Sequence, residues 1–202
     1  MGVNINTSFF NNASVYTWEA WVLPTDNSGL LNALHSEGLP QITFVIGLVN
    51  GALQFSTWNQ NIPGNWTNIV TPTNSVPAGQ WTHLACTMSN GQVCLYVNGL
   101  LSSCHNGIPL QSNSATRFAA LGINLGFSGQ DDYPFSGRMD EVRIWNRVLT
   151  QAEIRHKMTE RLAGTELGLV AYYRMDEGAD NSCPGGQDVC DASTNNNHGI
   201  KF

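Results

Sequence analysis

Apolar and polar residues alternate with period two in several short runs of this chain, the pattern of strands with two distinct faces. In Tyr16-Thr17-Trp18-Glu19-Ala20-Trp21-Val22, one face carries Trp18, Ala20 and Val22 and the other Thr17, Glu19 and Trp21. From Gly137 to Asn146, Met139, Glu141, Arg143 and Trp145 alternate with Asp140, Val142, Ile144 and Asn146. Val3 to Phe10 is a further strand-like run. Asn90-Gly91 and Asn98-Gly99 are two-residue hairpin turns, because Asn and Gly tolerate the positive φ values such turns demand. Thr150 followed by Glu153 forms a capping box and predicts a single helix from about Thr150 to Leu162. Many short strands broken by Gly, Pro and Asn, with one helix near the C-terminal third, give an all-β fold. A length of 202 residues suits one domain, 1–202, built as a two-sheet antiparallel jelly-roll sandwich.

The run Gly137 to Ile154 resembles the hallmark of laminin-G-like and pentraxin-like domains of the concanavalin A-like lectin superfamily, in which I/M-D-E-V-R-I-W/Y-N-R-x-L precedes a short helix. Tyr16 to Val22 resembles the F-T-x-E-A-W-V strand of that family. Gly79-Gln80-Trp81-Thr82-His83-Leu84-Ala85 resembles its G-x-W-x-H-V-A strand, and Leu95-Tyr96-Val97-Asn98-Gly99 its L-Y-V-N-G hairpin. The resemblance implies the concanavalin A-like jelly roll and says much less about the ligand. Gly168 to Gly178, then Asp191 to Gly199, resemble the opening of many such domains, yet here they stand late in the chain. Residues 168–202 either complete the sandwich or begin a following repeat.

Charge is sparse and mildly acidic, with a formal net of −6 and 12% charged residues. Nucleic acid is excluded as a partner, since its binding runs on clustered Lys and Arg, which the chain lacks. No apolar run is long enough to insert into a membrane. Cys183 and Cys190 close Cys-Pro-Gly-Gly-Gln-Asp-Val-Cys, a loop with turn residues at its centre, and are expected to form a disulfide. Cys94 and Cys104 flank the Asn98-Gly99 turn and are either cross-strand partners, leaving Cys86 free, or simply small apolar residues like it. A disulfide implies an oxidising compartment, so the expected location is secreted or cell surface, as part of a larger protein.

Catalysis finds little support. A retaining glycosidase needs two carboxylates about 5 Å apart on one face, whereas strand alternation puts Asp140 and Glu141 on opposite faces and gives Glu19 no acidic partner. The His residues stand beside no nucleophile motif, and His83 reads as a packed structural residue. The core is the expected place for Trp18, Trp21, Trp81 and Trp145, which lie in strand-like runs. Calcium is the expected cofactor, because hard cations want several oxygen ligands from an acidic, Gly-rich loop. Asp131 and Asp132 are candidates on that ground, with a second cluster joining Asp140 to Asp191 and the loop to Asn197. For ligand binding, the stretch Ser56 to Thr67 offers Trp58 and Trp66 as aromatic plates beside Asn59, Gln60 and Asn61, a combination suited to the C–H faces and hydroxyl rim of a sugar. The function expected is a noncatalytic extracellular recognition module that binds glycan. The alternatives are a structural or protein-binding adhesive spacer of a larger secreted protein and, third, a glycoside hydrolase.

Overall fold

The computed structural model describes residues 3–5, 15–36, 41–58, 66–108, 117–125, 131–177, 183 and 188–201. They form two antiparallel sheets packed face to face as a jelly-roll sandwich. In chain order the strands are β1 (Val3–Ile5), β2 (Val15–Pro24), β3 (Gly29–Ser36), β4 (Gln41–Val49), β5 (Ala52–Trp58), β6 (Trp66–Val70), β7 (Thr82–Ser89), β8 (Gln92–Val97), β9 (Leu100–His105), β10 (Arg117–Leu121), β11 (Asn124–Leu125), β12 (Asp131–Asp132), β13 (Gly137–Trp145), β14 (Leu169–Tyr173) and β15 (Ile200–Lys201), with helix α1 (Gln151–Lys157) after β13. One sheet runs β15-β1-β10-β3-β4-β5-β6 and the other β14-β13-β2-β7-β8-β9. Between them lies the main core, to which one sheet gives Ile46, Leu53 and Phe55 and the other Trp18, Leu84, Leu95 and Ile144.

The central strands of the six-stranded sheet are buried on both faces. Trp18, Ala20 and Val22 point into the sandwich, as alternation dictates, but Thr17 and Glu19 are also fully buried. Helix α1 and its flanks cover that second face, and Leu149, Ile154 and Leu162 pack there with Tyr96, Trp145 and Tyr172. The Asn90-Gly91 and Asn98-Gly99 turns have positive φ at both residues and connect β7 to β8 and β8 to β9. A side chain at Gly99 would collide with Arg155 Cγ at 2.6 Å, so the second turn also lets the helix sit close.

Two details differ from the alternation pattern. In the pairing of β13 with β2, Asp140 faces Trp21 and Arg143 faces Glu19, so β13 carries one extra residue in that interval. Glu141, at φ 53°, forms this bulge. The extra residue reverses parity, and Met139 therefore packs on the main core with Val142 and Ile144 rather than sharing a face with Arg143. Trp81 precedes β7 and is 41% exposed, so it is not a core residue; Trp18 and Trp145 are fully buried.

The helix begins as expected: Thr150 Oγ1 accepts from the Glu153 N–H, and Glu153 accepts from the Thr150 N–H. It stops at Lys157, short of Leu162, because side chains from the sheet take over its last carbonyls. Trp21 Nε1 donates to Met158 O at 2.8 Å, and Arg143 donates to Lys157 O at 2.6 Å and Glu160 O at 2.5 Å. Arg147 and the Thr150 N–H hold the Glu153 carboxyl down at about 2, against 4.5 ordinarily. A depressed carboxyl pKa stabilises the fold fully above its unfolded value and loses that contribution as pH falls through the folded one. The unfolding free energy from urea titration should thus decline between about pH 4.5 and 2, by no more than about 1 kcal/mol for so exposed a pair. Glu153→Gln should remove that part of the decline.

The expected Cys183–Cys190 disulfide is present, and of the two readings of Cys94 and Cys104 the cross-strand link is the one formed, with Cys86 a buried free thiol. β14 hydrogen-bonds to β13, and its other edge is covered by the loop that follows. The Tyr172 N–H donates to Asp191 Oδ1, Ala192 N–H to Tyr172 O, Asn195 Nδ2 to Leu169 O and Asn197 Nδ2 to Val170 O. β15 pairs with β1 in the other sheet.

Candidate functional site

The outward face of the seven-stranded sheet carries a cleft of about 460 Å³. Alternation in β5 sends Leu53 and Phe55 into the core and Gln54 and Ser56 outward. Ser56 lies between Val45 on β4 and Asn68 on β6, so three strands present one polar row flanked by apolar positions. Gln54 Nε2 donates to Ser56 Oγ at 2.5 Å and to Asn68 Oδ1 at 3.4 Å, which fixes the orientation of the amides. Gly47 lets β3 approach closely at the cleft: a Cβ there would sit 2.8 Å from Gly29 O and 2.9 Å from Leu30 Cδ2.

Two aromatic side chains stand on the rim. Trp66 on the edge strand β6 is 42% exposed, and Tyr133 is 74% exposed. Tyr133 has φ 57°, uncommon for a bulky residue and a strain of about 1 to 3 kcal/mol that the surroundings must hold. They do so through backbone hydrogen bonds from Leu30 N–H to Tyr133 O at 2.9 Å and from Phe135 N–H to Gly122 O at 2.8 Å. Among the described residues no charged side chain lines the cleft.

A second polar cluster is enclosed between the six-stranded sheet and the helix. Glu19 accepts from Trp145 Nε1 at 3.1 Å, lies 3.5 Å from His83 Nε2 and 3.7 Å from Arg143 Nη1. Arg143 also bridges to Glu141 at 2.5 Å, and Glu141 accepts from the Tyr172 hydroxyl. Burial works against the Arg143 charge, but Glu19 and Glu141 outweigh it and raise its pKa above the ordinary value. Glu19, His83 and Arg143 are each at most 1% exposed. The cluster clamps the helix end to the sheet, with Glu19, His83 and Arg143 closed off from solvent and Glu141 partly exposed.

A family model described as Concanavalin A-like lectin/glucanases superfamily matches residues 2–155. The chain belongs to this superfamily. No curated protein matches the sequence significantly. Among solved structures, this lectin/glucanase-superfamily chain is similar to a Bacteroides ovatus protein described as carbohydrate-binding, with 19% identity and a TM-score of 0.69 over 98% of this chain and 55% of that one. It is similar to the CBM40 of a Ruminococcus gnavus sialidase bound to α2,3-sialyllactose, at 18% identity and TM-score 0.61 over 73% of this chain and 84% of that one. It also resembles domain 4 of AbnA, an extracellular arabinanase from Geobacillus stearothermophilus, in complex with arabinotriose, at 26% identity and TM-score 0.54 over 73% and 68% of the two chains.

Of the residues the sequence singled out, Trp66 lines the cleft, and Trp58 stands opposite it in the β5–β6 ladder. Asn59, Gln60 and Asn61 lie outside the described residues. Asp131 and Asp132 form β12, with Asp132 paired to Asn124, and lead directly into Tyr133. Asp140 accepts from the Glu141 N–H, and burial raises its pKa, with the neighbouring carboxylates Glu141 and Asp176 adding to the shift. Asp191 accepts from the N–H groups of Tyr172, Ser193 and Asn197 and from the Ser193 hydroxyl, which makes it the organiser of the loop over β14. Among the described residues no group of three or more His, Cys, Asp and Glu side chains could hold a metal ion.

The sequence reading missed Gln54, Asn68 and Tyr133 as cleft residues. The first two carried a usable signal: in Gln54-Phe55-Ser56 and Asn68-Ile69-Val70, polar residues stand at the positions that alternation turns away from the core. Tyr133 carried none, because its ring is placed by backbone contacts to β3 and Gly122.

Proposed function

We propose that this domain is a noncatalytic glycan-recognition module and that the cleft on the outward face of the seven-stranded sheet is its binding site. The observation that carries the proposal is the convergence of two exposed rings, Trp66 and Tyr133, on a row of fixed amide and hydroxyl groups. Sugars stack their C–H faces on aromatic rings and exchange hydrogen bonds with such side chains. The arabinotriose-bound and sialyllactose-bound modules of the same architecture support this reading. The enclosed Glu19–Arg143–Glu141 cluster supports a role without catalysis, since its carboxylates are paired to a cation under a helix. We assign the module to an extracellular setting, in keeping with its two disulfides. Calcium at Asp131 and Asp132 remains the proposed cofactor, because β12 would bring it next to the Tyr133 wall.

The test is oligosaccharide binding followed by tryptophan fluorescence and calorimetry, with calcium and with chelator. Trp66→Ala and Tyr133→Ala should each weaken binding by roughly 30-fold, the effect of losing a contact of about 2 kcal/mol. Both rings are exposed, so stability should change by no more than about 1 kcal/mol. Binding indifferent to both substitutions would remove the cleft from consideration, and binding equal with calcium and chelator would remove the metal.

A further inference from the structure

Building on the glycan reading, we infer that the cleft selects uncharged oligosaccharides and rejects those bearing carboxylate or sulfate groups. The chain has nine Lys and Arg residues, and seven lie between Arg138 and Arg174, on β13, the helix, β14 and their flanks, all belonging to the other sheet. Of the remaining two, Lys201 is in β15, three strands from β3 in the sheet order. Arg117 is paired with Ser36, at the far end of β3 from the Gly29 and Leu30 that line the cleft. The stretches of chain outside the described residues contain no Lys or Arg at all. Among the described residues no Lys or Arg lines the cleft, and Arg138, five residues beyond Tyr133, is carried on β13 of the other sheet.

A carboxylate or sulfate held against Val45, Val49 and Leu30 would lose water and gain no charge-assisted hydrogen bond, which makes its binding unfavourable. Asp131 and Asp132 stand immediately before Tyr133 in the sequence and, without calcium, add negative charge to that segment. Neutral sugars meet neither cost. They need the donors and acceptors that Gln54, Ser56 and Asn68 supply and the rings of Trp66 and Tyr133. These rings stand on opposite sides of the cleft, Tyr133 tied to β3 and Trp66 on β6. Three strand spacings, about 14 Å, separate β3 from β6, which suits a short chain of sugars rather than a single ring.

The experiment measures binding of two sets of probes to the intact protein and to Trp66→Ala. The neutral set is arabino-, xylo-, cello- and manno-oligosaccharides; the anionic set is sialyllactose, oligogalacturonate and heparin-derived oligosaccharides. The inference expects at least one neutral probe to bind, at least tenfold more tightly than any anionic one. It also expects loss of that binding in Trp66→Ala and an affinity unchanged by added salt, since no ion pair is screened. An anionic probe that binds as tightly as the neutral ones, and through Trp66, would overturn the selectivity while leaving glycan recognition standing. Failure of every probe in both sets would overturn the glycan reading itself, and this inference with it.

Discussion

Replacing Arg143 by alanine is expected to lower the unfolding free energy by about 3 to 5 kcal/mol, the range for removing one partner of a buried ion pair. Glu19 would remain fully enclosed, with only the Trp145 indole and His83 beside it. The carbonyls of Lys157 and Glu160 would lose their donor, so the helix end would fray as well. Arg143→Lys should recover little, because a single ammonium group cannot reach two carbonyls and two carboxylates in the planar arrangement that a guanidinium provides. Denaturant unfolding gives the value directly, and a loss under about 1 kcal/mol would mean that the cluster is not closed as described. Binding by the fraction still folded should be unchanged, since the cleft belongs to the opposite sheet.

Truncation before Gly168 should have a still larger effect. It removes β14, all five of whose residues are buried, together with the loop that covers its edge and the β15 partner of β1. Full burial of each large side chain among these five contributes about 1.5 to 3 kcal/mol, a sum comparable with the whole stability of a typical domain. The edge of β13 would also be opened to intermolecular pairing. The truncated protein should be insoluble or molten, without a cooperative melt by circular dichroism. A truncated protein that melts cooperatively at the original temperature would instead assign residues 168–202 to a following unit.

What could be read from the sequence was local. Period-two alternation placed β2 and β13, Asn-Gly pairs placed two turns, and Thr150 with Glu153 placed the helix start, because each is decided by neighbours a few residues apart. The bulge at Glu141 escaped notice, since an extra residue exists only relative to the strand beside it. The helix end escaped for a similar reason: Trp21 and Arg143, which take its last carbonyls, come from two other strands. The cleft was half visible. Trp66 among amides announced a sugar-like surface, whereas the ring opposite is brought there from about 65 residues further along the chain by contacts to Leu30 and Gly122. Gly47 gave no hint either, because a glycine in a strand reads as weakness until the backbone it must pass is known.

The pairing of β1 with β15 sets how this domain would respond to a mechanical load. Val3 lies opposite Lys201 in an antiparallel register, so these two strand ends stand side by side. Joined at these positions to neighbouring sequence, the domain would hang beside the path of a stretched chain rather than bear load through its core. Tension would peel β15 from β1 one hydrogen bond after another, while β3 to β6, which carry the cleft, stayed paired. The same geometry lets residues 3–201 be spliced into an exposed loop of another protein as a side unit, because the host needs to part by only the spacing of two paired strands, about 5 Å.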